Sequence, residues 1–377
     1  MSENGDVEMH DASAPRAEAA AAAAAANPKG TVIGGQSVLP WVEKYRPQKL
    51  DDLIAHHDII ATIQRFINQN KLPHTLFHGP PGTGKTSTIL ACAKGMYGPK
   101  FGSMVLELNA SDARGIDVVR EQIRTFVQAR QLFSTGIKLV VLDEADSMTS
   151  AAQFALRRIM EQYSSNARFC IICNYVNKII PALQSRCTKF RFGPLGDSDV
   201  RGRAKEIAAS EQLSLTDDGL EALVTLGRGD MRRVLNIMQS CSMAFDEVSA
   251  ESVYMTTGTP LPSDIDEAFS VLITDGVEEA FLKMDALRIS KGYAVVDLIT
   301  GLFARAKVVK WPTAALSMLM GRLADAEYRL SLGCSEKVQL GAVVGGFAEA
   351  RAVLERGKGA QAAAAAAASG QQQQAQG

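Results

Sequence analysis

Gly79-Pro80-Pro81-Gly82-Thr83-Gly84-Lys85-Thr86 satisfies GxxxxGK[ST], with the apolar run Thr75 to His78 before it and the helical pattern Thr86 to Met96 after it, the context this motif requires. Its glycines let backbone N–H groups converge on phosphate oxygens, and the start of the following helix adds favourable potential for an anion. Lys85 reaches the outer phosphates of a nucleoside triphosphate and the Thr86 hydroxyl is placed to ligate magnesium, while Pro80, Pro81, Thr83 and Ser87 complete the binding stretch. At average composition the bare pattern arises by chance in about one chain of this length in a hundred. A plain glycine turn between strand and helix is the competing reading, and the flanking patterns argue against it.

Lys138-Leu139-Val140-Val141-Leu142-Asp143-Glu144 reads as an apolar strand ending in two carboxylates. On an open parallel sheet a strand's carboxyl end faces the ligand crevice. Asp143 is therefore expected to hold the magnesium shell, and Glu144 to orient and polarise an attacking water. Asn174 closes a third run, Phe169 to Cys173, where a neutral amide could bond the γ-phosphate or the water. Asp143-Glu144-Ala145-Asp146 spells a tetrapeptide found in RNA helicases, but such enzymes carry a second sheet domain, and residues 194–355 read as helical.

The runs Thr75 to His78, Met104 to Leu108, Lys138 to Leu142 and Arg168 to Cys173 alternate with helical patterns such as Ile59, Ile60, Ile63, Phe66 and Ile67. An α/β class with a doubly wound parallel sheet follows. Gly193-Pro194 ends the strand signal. Thr216-Asp217-Asp218 and Asp230 read as caps of lid helices, and Gly258-Thr259-Pro260 opens a further helical stretch. The expected organisation is a tail over 1–38, a sheet domain over 39–193, a helical lid over 194–257, an all-α domain over 258–356 and an Ala/Gln-rich tail over 357–377, both tails disordered.

The chain has 377 residues, with 40 Lys and Arg against 41 Asp and Glu. Bulk charge thus gives no argument for nucleic acid, and any such binding must rest on a local patch. No apolar stretch is long enough to span a bilayer, and the N-terminus lacks a basic region followed by an apolar core, so an intracellular protein without membrane partners is expected. Cys170 and Cys173 form a CxxC inside an apolar run, which reads as buried strand cysteines rather than a metal or redox pair.

Taken together these residues resemble an AAA+ ATPase of the clamp-loader branch. Leu39-Pro40-Trp41-Val42-Glu43-Lys44-Tyr45-Arg46-Pro47 is similar to the N-terminal box of replication factor C small subunits. Asn109-Ala110-Ser111-Asp112 with Arg114-Gly115, Gln184-Ser185-Arg186-Cys187, and Gly229-Asp230-Met231-Arg232-Arg233 are similar to later boxes, so the likeness covers residues 39 to about 355. It implies an AAA+ P-loop domain, a three-helix lid and a helical collar that joins this chain to four other subunits in a ring. It also implies ATP and Mg2+ as ligands, the PCNA sliding clamp and primer-template DNA as partners, and a nuclear location. Apolar and ring contacts discriminate little between purines, so the choice of ATP comes from the resemblance.

The resemblance assigns roles as well. Val42 and Arg46 would contact base and ribose, Arg232 would sense the same chain's triphosphate, and Arg186 would point at a neighbour's γ-phosphate. Physical reasons stand beside two of these. A fixed guanidinium offsets charge developing in phosphoryl transfer, and a cation at a helix start is unfavourable without an anion nearby. Arg114, Arg120 and Arg124 could follow a DNA backbone without reading bases, as the matching region of the family does, although spacing alone fits a solvated helix equally. Gln122, Ile123 and Phe126 weakly resemble a plug for the clamp, yet Ile and Phe at this spacing also suit a core. Two further readings stay open: a scaffold that binds nucleotide without needing turnover, which need not retain Glu144, and an AAA+ remodeller of protein substrates.

Overall fold

The computed structural model describes residues 32–33, 36–37, 39–69, 71–111, 116–129 and 136–374. Among them a five-stranded parallel sheet is built from β1 (Thr75–His78), β2 (Val105–Asn109), β3 (Lys138–Asp143), β4 (Ala167–Cys173) and β5 (Thr188–Arg191), in the spatial order β2-β3-β4-β1-β5. His78 lies opposite Cys173 and Arg191, and Leu142 opposite Ile171, so the carboxyl ends of β1, β3 and β4 emerge along one rim. Four strands fall where apolar runs predict them. The edge strand β5 had no such run, because of Thr188-Lys189-Phe190-Arg191 only Phe190 is buried.

Side chains alternate across a strand, and here both faces are covered. Leu139 and Val141 pack with Phe77, Cys170 and Ile172 against Ile63 of α2 (His57–Asn68) and Ile89 and Cys92 of α3 (Lys85–Tyr97), which follow the short α1 (Trp41–Lys44). Val140 and Leu142 turn the other way with Leu76, Phe169 and Ile171, against Ile123 of α4 (Ile116–Gln128) and Leu156 and Met160 of α5 (Ser150–Gln162). Burial on both faces is why these strands read as unbroken apolar runs. Each large side chain so buried contributes about 1.5–3 kcal/mol. Cys170 and Cys173 belong to opposite faces, so their thiols cannot share a metal, and burial pushes both thiol pKa values up.

His74, just before β1, accepts a hydrogen bond at Nδ1 from the Phe169 backbone N–H at 3.2 Å. Burial, aided by the Arg168 charge, pushes its pKa from 6.5 down to about 4. The folded state thus refuses a proton that the unfolded chain accepts, so stability is intact above pH 6.5 and lost as pH falls from there towards about 4. We expect the thermal midpoint to fall less steeply across that window in His74→Gln, whose amide oxygen can still accept. Identical slopes in the two proteins would contradict this.

After β5 the chain is helical. α6 (Asp197–Ser210) comes first, and α7 (Asp217–Gly227) starts where the Thr216 hydroxyl accepts from Gly219 N–H at 3.1 Å. α8 (Met231–Ala244) is capped by Asp230, whose carboxylate accepts from Arg233 N–H at 3.1 Å. By compactness the chain divides into two units, one running to Leu215 together with Leu223–Ser242, the other comprising Thr216–Ala222 and the chain from Met243. Helices α6 and α8 therefore group with the sheet.

The second unit is a bundle of α9 (Pro262–Thr274), α10 (Val277–Lys291), α11 (Val295–Val308), α12 (Thr313–Ser331) and α13 (Glu336–Gln374). Its core is built on Phe269, Leu298, Leu302, Leu319, Leu323, Val343 and Phe347, the two phenylalanine rings meeting edge to face at 5.8 Å. Arg351 donates to the carbonyls of Ile273 and Asp275, satisfying the end of α9. The helix α13 continues through residues 357–374, where the composition predicts a disordered tail. The alanine and glutamine of that stretch are good helix formers, so a helix already anchored in the bundle extends at little cost per residue. No helix among the described residues is long and apolar enough to cross a membrane.

Candidate functional site

The loop between β1 and α3 turns through three glycines with positive φ: Gly79 (148°), Gly82 (67°) and Gly84 (89°). A side chain at Gly79 would meet the Phe192 carbonyl oxygen at 2.0 Å, and one at Gly82 would meet Asp230 Oδ1 at 1.6 Å. Gly79 is therefore required by close backbone approach as well as by conformation, and Gly82 by conformation and by the Asp230 carboxylate packed against it. Thr83 Oγ1 donates to the Pro80 carbonyl at 3.0 Å and braces the turn. Helix α8 touches the loop directly, Met231 N–H donating to the Gly82 carbonyl at 3.3 Å.

Lys85, at the start of α3, has a buried ammonium that donates to the carbonyls of Gly79 and Pro80, each at 2.8 Å, and to Asn174 Oδ1 at 3.1 Å. Burial holds its pKa below the ordinary lysine value, opposed by the nearby Asp143 carboxylate. Thr86 Oγ1 donates to Asp143 Oδ2 at 2.6 Å, and the other Asp143 oxygen accepts from Glu144 N–H at 2.8 Å. The expected magnesium ligands are thus adjacent, two hard oxygens on one edge of the phosphate loop. They fit a cation that completes its octahedron with phosphate and water.

Glu144 has a left-handed backbone, φ 53°, unusual for a residue with a side chain. Ser147 pins it, donating from both N–H and Oγ to the Glu144 carbonyl at 2.9 and 2.7 Å. Such conformations cost of order 1–3 kcal/mol and persist where the surroundings impose them. The result is that Asp143 and Glu144 both line the cleft although neighbours on a strand point to opposite faces. Asn174 is also fixed from behind, since Asp146 Oδ2 accepts from the N–H groups of Asn174 and Tyr175 at 3.3 and 3.2 Å. The last residue of the helicase-like tetrapeptide therefore orders the amide that meets Lys85.

A cleft above the rim brings together most of the residues singled out from sequence. Val42, Arg46, Pro81 to Ser87, Asp143, Glu144, Asn174 and Arg232 line it; Gly79 and Pro80 reach it through their carbonyls on Lys85. Sequence reasoning missed Leu53 to His56, Arg203, Ile207 and Leu235, which also line it. The signal for the first group was faint: a loop with no motif, in which His56 takes a left-handed turn at φ 63° and packs edge-on against Phe192 at 5.0 Å. His56 Nε2 is buried there without a hydrogen-bond partner, and burial lowers the ring's pKa.

Arg186 is not among the residues lining this cleft. It follows the short helix Pro181–Gln184, donates from Nη1 to the Ala182 carbonyl at 2.7 Å, and pairs through Nη2 with Glu161 at 2.5 Å. Of the three arginines considered for DNA, Arg124 is exposed on α4, the Arg120 side chain lies outside the described part of that helix, and Arg114 lies outside the described residues. The structure corrects the clamp-plug expectation. Ile123 is 2% exposed in the core beneath the sheet, and Phe126 packs on the same core under the Lys138 ammonium, leaving only Gln122 exposed. Their spacing is that of the buried face of α4.

Comparisons with known proteins agree with this layout. The model of the ATPase family associated with various cellular activities (AAA) matches residues 75–195, and that of the replication factor C C-terminal domain matches residues 260–346. A Homo sapiens protein named replication factor C subunit 5 is 52% identical over 84% of this chain and 93% of its own length. A protein of Oryza sativa subsp. japonica named replication factor C subunit 3 is 50% identical over 91% of this chain and 95% of its own. One of Schizosaccharomyces pombe with the same name is 48% identical over 83% of this chain and 91% of its own.

Proposed function

The chain belongs to the replication factor C family, the AAA+ ATPase subunits of the clamp loader, and from that premise we propose that its cleft binds and hydrolyses magnesium–ATP to load the PCNA sliding clamp onto primer-template DNA in the nucleus, as one of five subunits in a ring. The observation that carries the reading of the site is the contact of Thr86 with Asp143 at 2.6 Å beside a lysine that itself meets Asn174. Three strand ends thereby converge on one phosphate loop.

In this reading the triphosphate lies along Gly79 to Ser87, and Lys85 exchanges its loop carbonyls for β- and γ-phosphate oxygens. Thr86 and Asp143 would hold magnesium, which would offset phosphate charge during transfer. Glu144 accepts the proton of the attacking water and Asn174 orients that water or the γ-phosphate. Arg232, at the first turn of α8, binds the same γ-phosphate and couples its presence to the lid. Val42 and Arg46 close the base and ribose end. Arg186, turned away from its own cleft, serves a neighbour's ATP. The α4 region, with Arg114, Arg120 and Arg124, follows the DNA backbone as a patch, and the exposed position of Arg124 supports this.

Reconstitution with the four other subunits tests the assignment of partners. ATP-dependent transfer of PCNA onto primed circular DNA is expected, and omission of this chain should abolish it. A complex that captures neither clamp nor primed DNA, but unfolds a tagged protein, would overturn the assignment in favour of a protein remodeller.

A further inference from the structure

The segment Trp41–Pro47 edges the cleft through Val42, Tyr45 and Arg46, yet none of its residues is fully buried. Its helix α1 spans four residues and contains no buried one. A helix that short has no stability of its own, so polar tethers decide where the segment sits. Those tethers come from the lid. Glu211, which closes α6, accepts on one oxygen, Oε1, from Tyr45 Oη at 2.5 Å and from Lys44 Nζ at 2.6 Å. Arg203 Nη2 of α6 donates to the Tyr45 carbonyl at 3.4 Å, and Trp41 N–H donates to Gln239 Oε1 of α8 at 3.1 Å.

We propose that the hydrogen bond from Tyr45 to Glu211 is a latch that holds this strap over the bound nucleotide and sets the rate of nucleotide release, Tyr45 and Glu211 being positioning residues. The proposal rests on the reading of the cleft as an ATP site. Burial works against the Glu211 charge, but the hydrogen bonds from Lys44 and Tyr45 outweigh it and leave the carboxyl pKa below its ordinary value. The carboxylate is therefore ionised when the latch is made, and a hydrogen bond to an ionised acceptor is the stronger kind. The lysine contributes less, because its side chain is 37% exposed and solvent screens the pair.

Both tethering helices also line the cleft, α6 through Arg203 and Ile207 and α8 through Arg232 and Leu235. A lid movement that withdraws Arg203 and Arg232 must then carry the strap with it or break the latch. Base and phosphate ends of the site open together in the first case. In the second, the strap alone is freed.

Release of a fluorescent ribose-labelled ATP from the full-length chain, chased with excess ATP in a stopped-flow instrument, tests the latch. Glu211→Ala should speed release roughly tenfold, the factor corresponding to about 1.4 kcal/mol, and Tyr45→Phe, which removes a single oxygen and leaves packing intact, should do nearly the same. The double variant should release no faster than Glu211→Ala alone, because one shared bond is lost once. A purely structural role for either residue predicts multiplied effects instead, and multiplied or unchanged rates would overturn the latch. Lys85→Ala separates the two levels of the proposal. If that variant still binds the analogue, the reading of the cleft fails; if binding is lost while Tyr45→Phe and Glu211→Ala leave the rate unchanged, the latch alone fails.

Discussion

Arg186→Ala in the assembled ring is expected to lower ATP hydrolysis at the adjoining subunit's site by about three orders of magnitude, while this chain's own affinity for ATP stays as it was. The size follows from the usual contribution of an arginine supplied in trans to phosphoryl transfer, about 10³–10⁵ in turnover. The direction follows from placement. Arg186 is absent from the lining of its own cleft, and its guanidinium is held ready by Glu161 and the Ala182 carbonyl. Both contacts are made by the side chain alone, so an anion from another chain can replace the carboxylate without moving the backbone. Single-turnover hydrolysis in the ring, read beside equilibrium binding to the isolated chain, separates the two effects. Loss of ATP binding by the isolated Arg186→Ala chain would mean that the arginine serves its own site.

Glu144→Gln should have an effect of comparable size, on this chain's own site. The amide keeps the shape but cannot take a proton, and removal of a positioned general base typically costs about 10²–10⁴ in rate. ATP binding should survive, because Lys85, Thr86 and Asp143 are untouched and the left-handed turn is pinned through the Glu144 backbone by Ser147. The same substitution separates a motor from a nucleotide-bound scaffold, for which turnover is dispensable.

The readiness with which this site is read from sequence varies residue by residue. The phosphate loop was legible because nearly every position in it answers a separate demand: Gly79 and Gly82 admit no side chain, Lys85 and Thr86 supply the polar groups. Strands β1, β3 and β4 were legible because both faces are buried. The edge strand β5, with a single buried residue, was not. Ile123 and Phe126 show the opposite difficulty. Apolar residues on an amphipathic helix suit a docking plug or a core, and only the burial of Ile123 decides. Leu53 to His56, Arg203 and Glu211 escaped notice because their contribution comes from backbone course or from contacts between distant parts of the chain. Tyr45 and Glu211 lie 166 residues apart, a separation that no local pattern bridges.

In the proposed function, ATP turnover in this cleft, and not nucleotide binding alone, drives release of the loaded clamp. Its most direct test is a reconstituted complex carrying Glu144→Gln in this subunit only, with DNA-stimulated ATPase and clamp release followed on primed DNA. ATP-dependent assembly on clamp and DNA should persist, this site's share of turnover should be lost and clamp release should slow. Turnover and release both equal to those of the unaltered complex would contradict it.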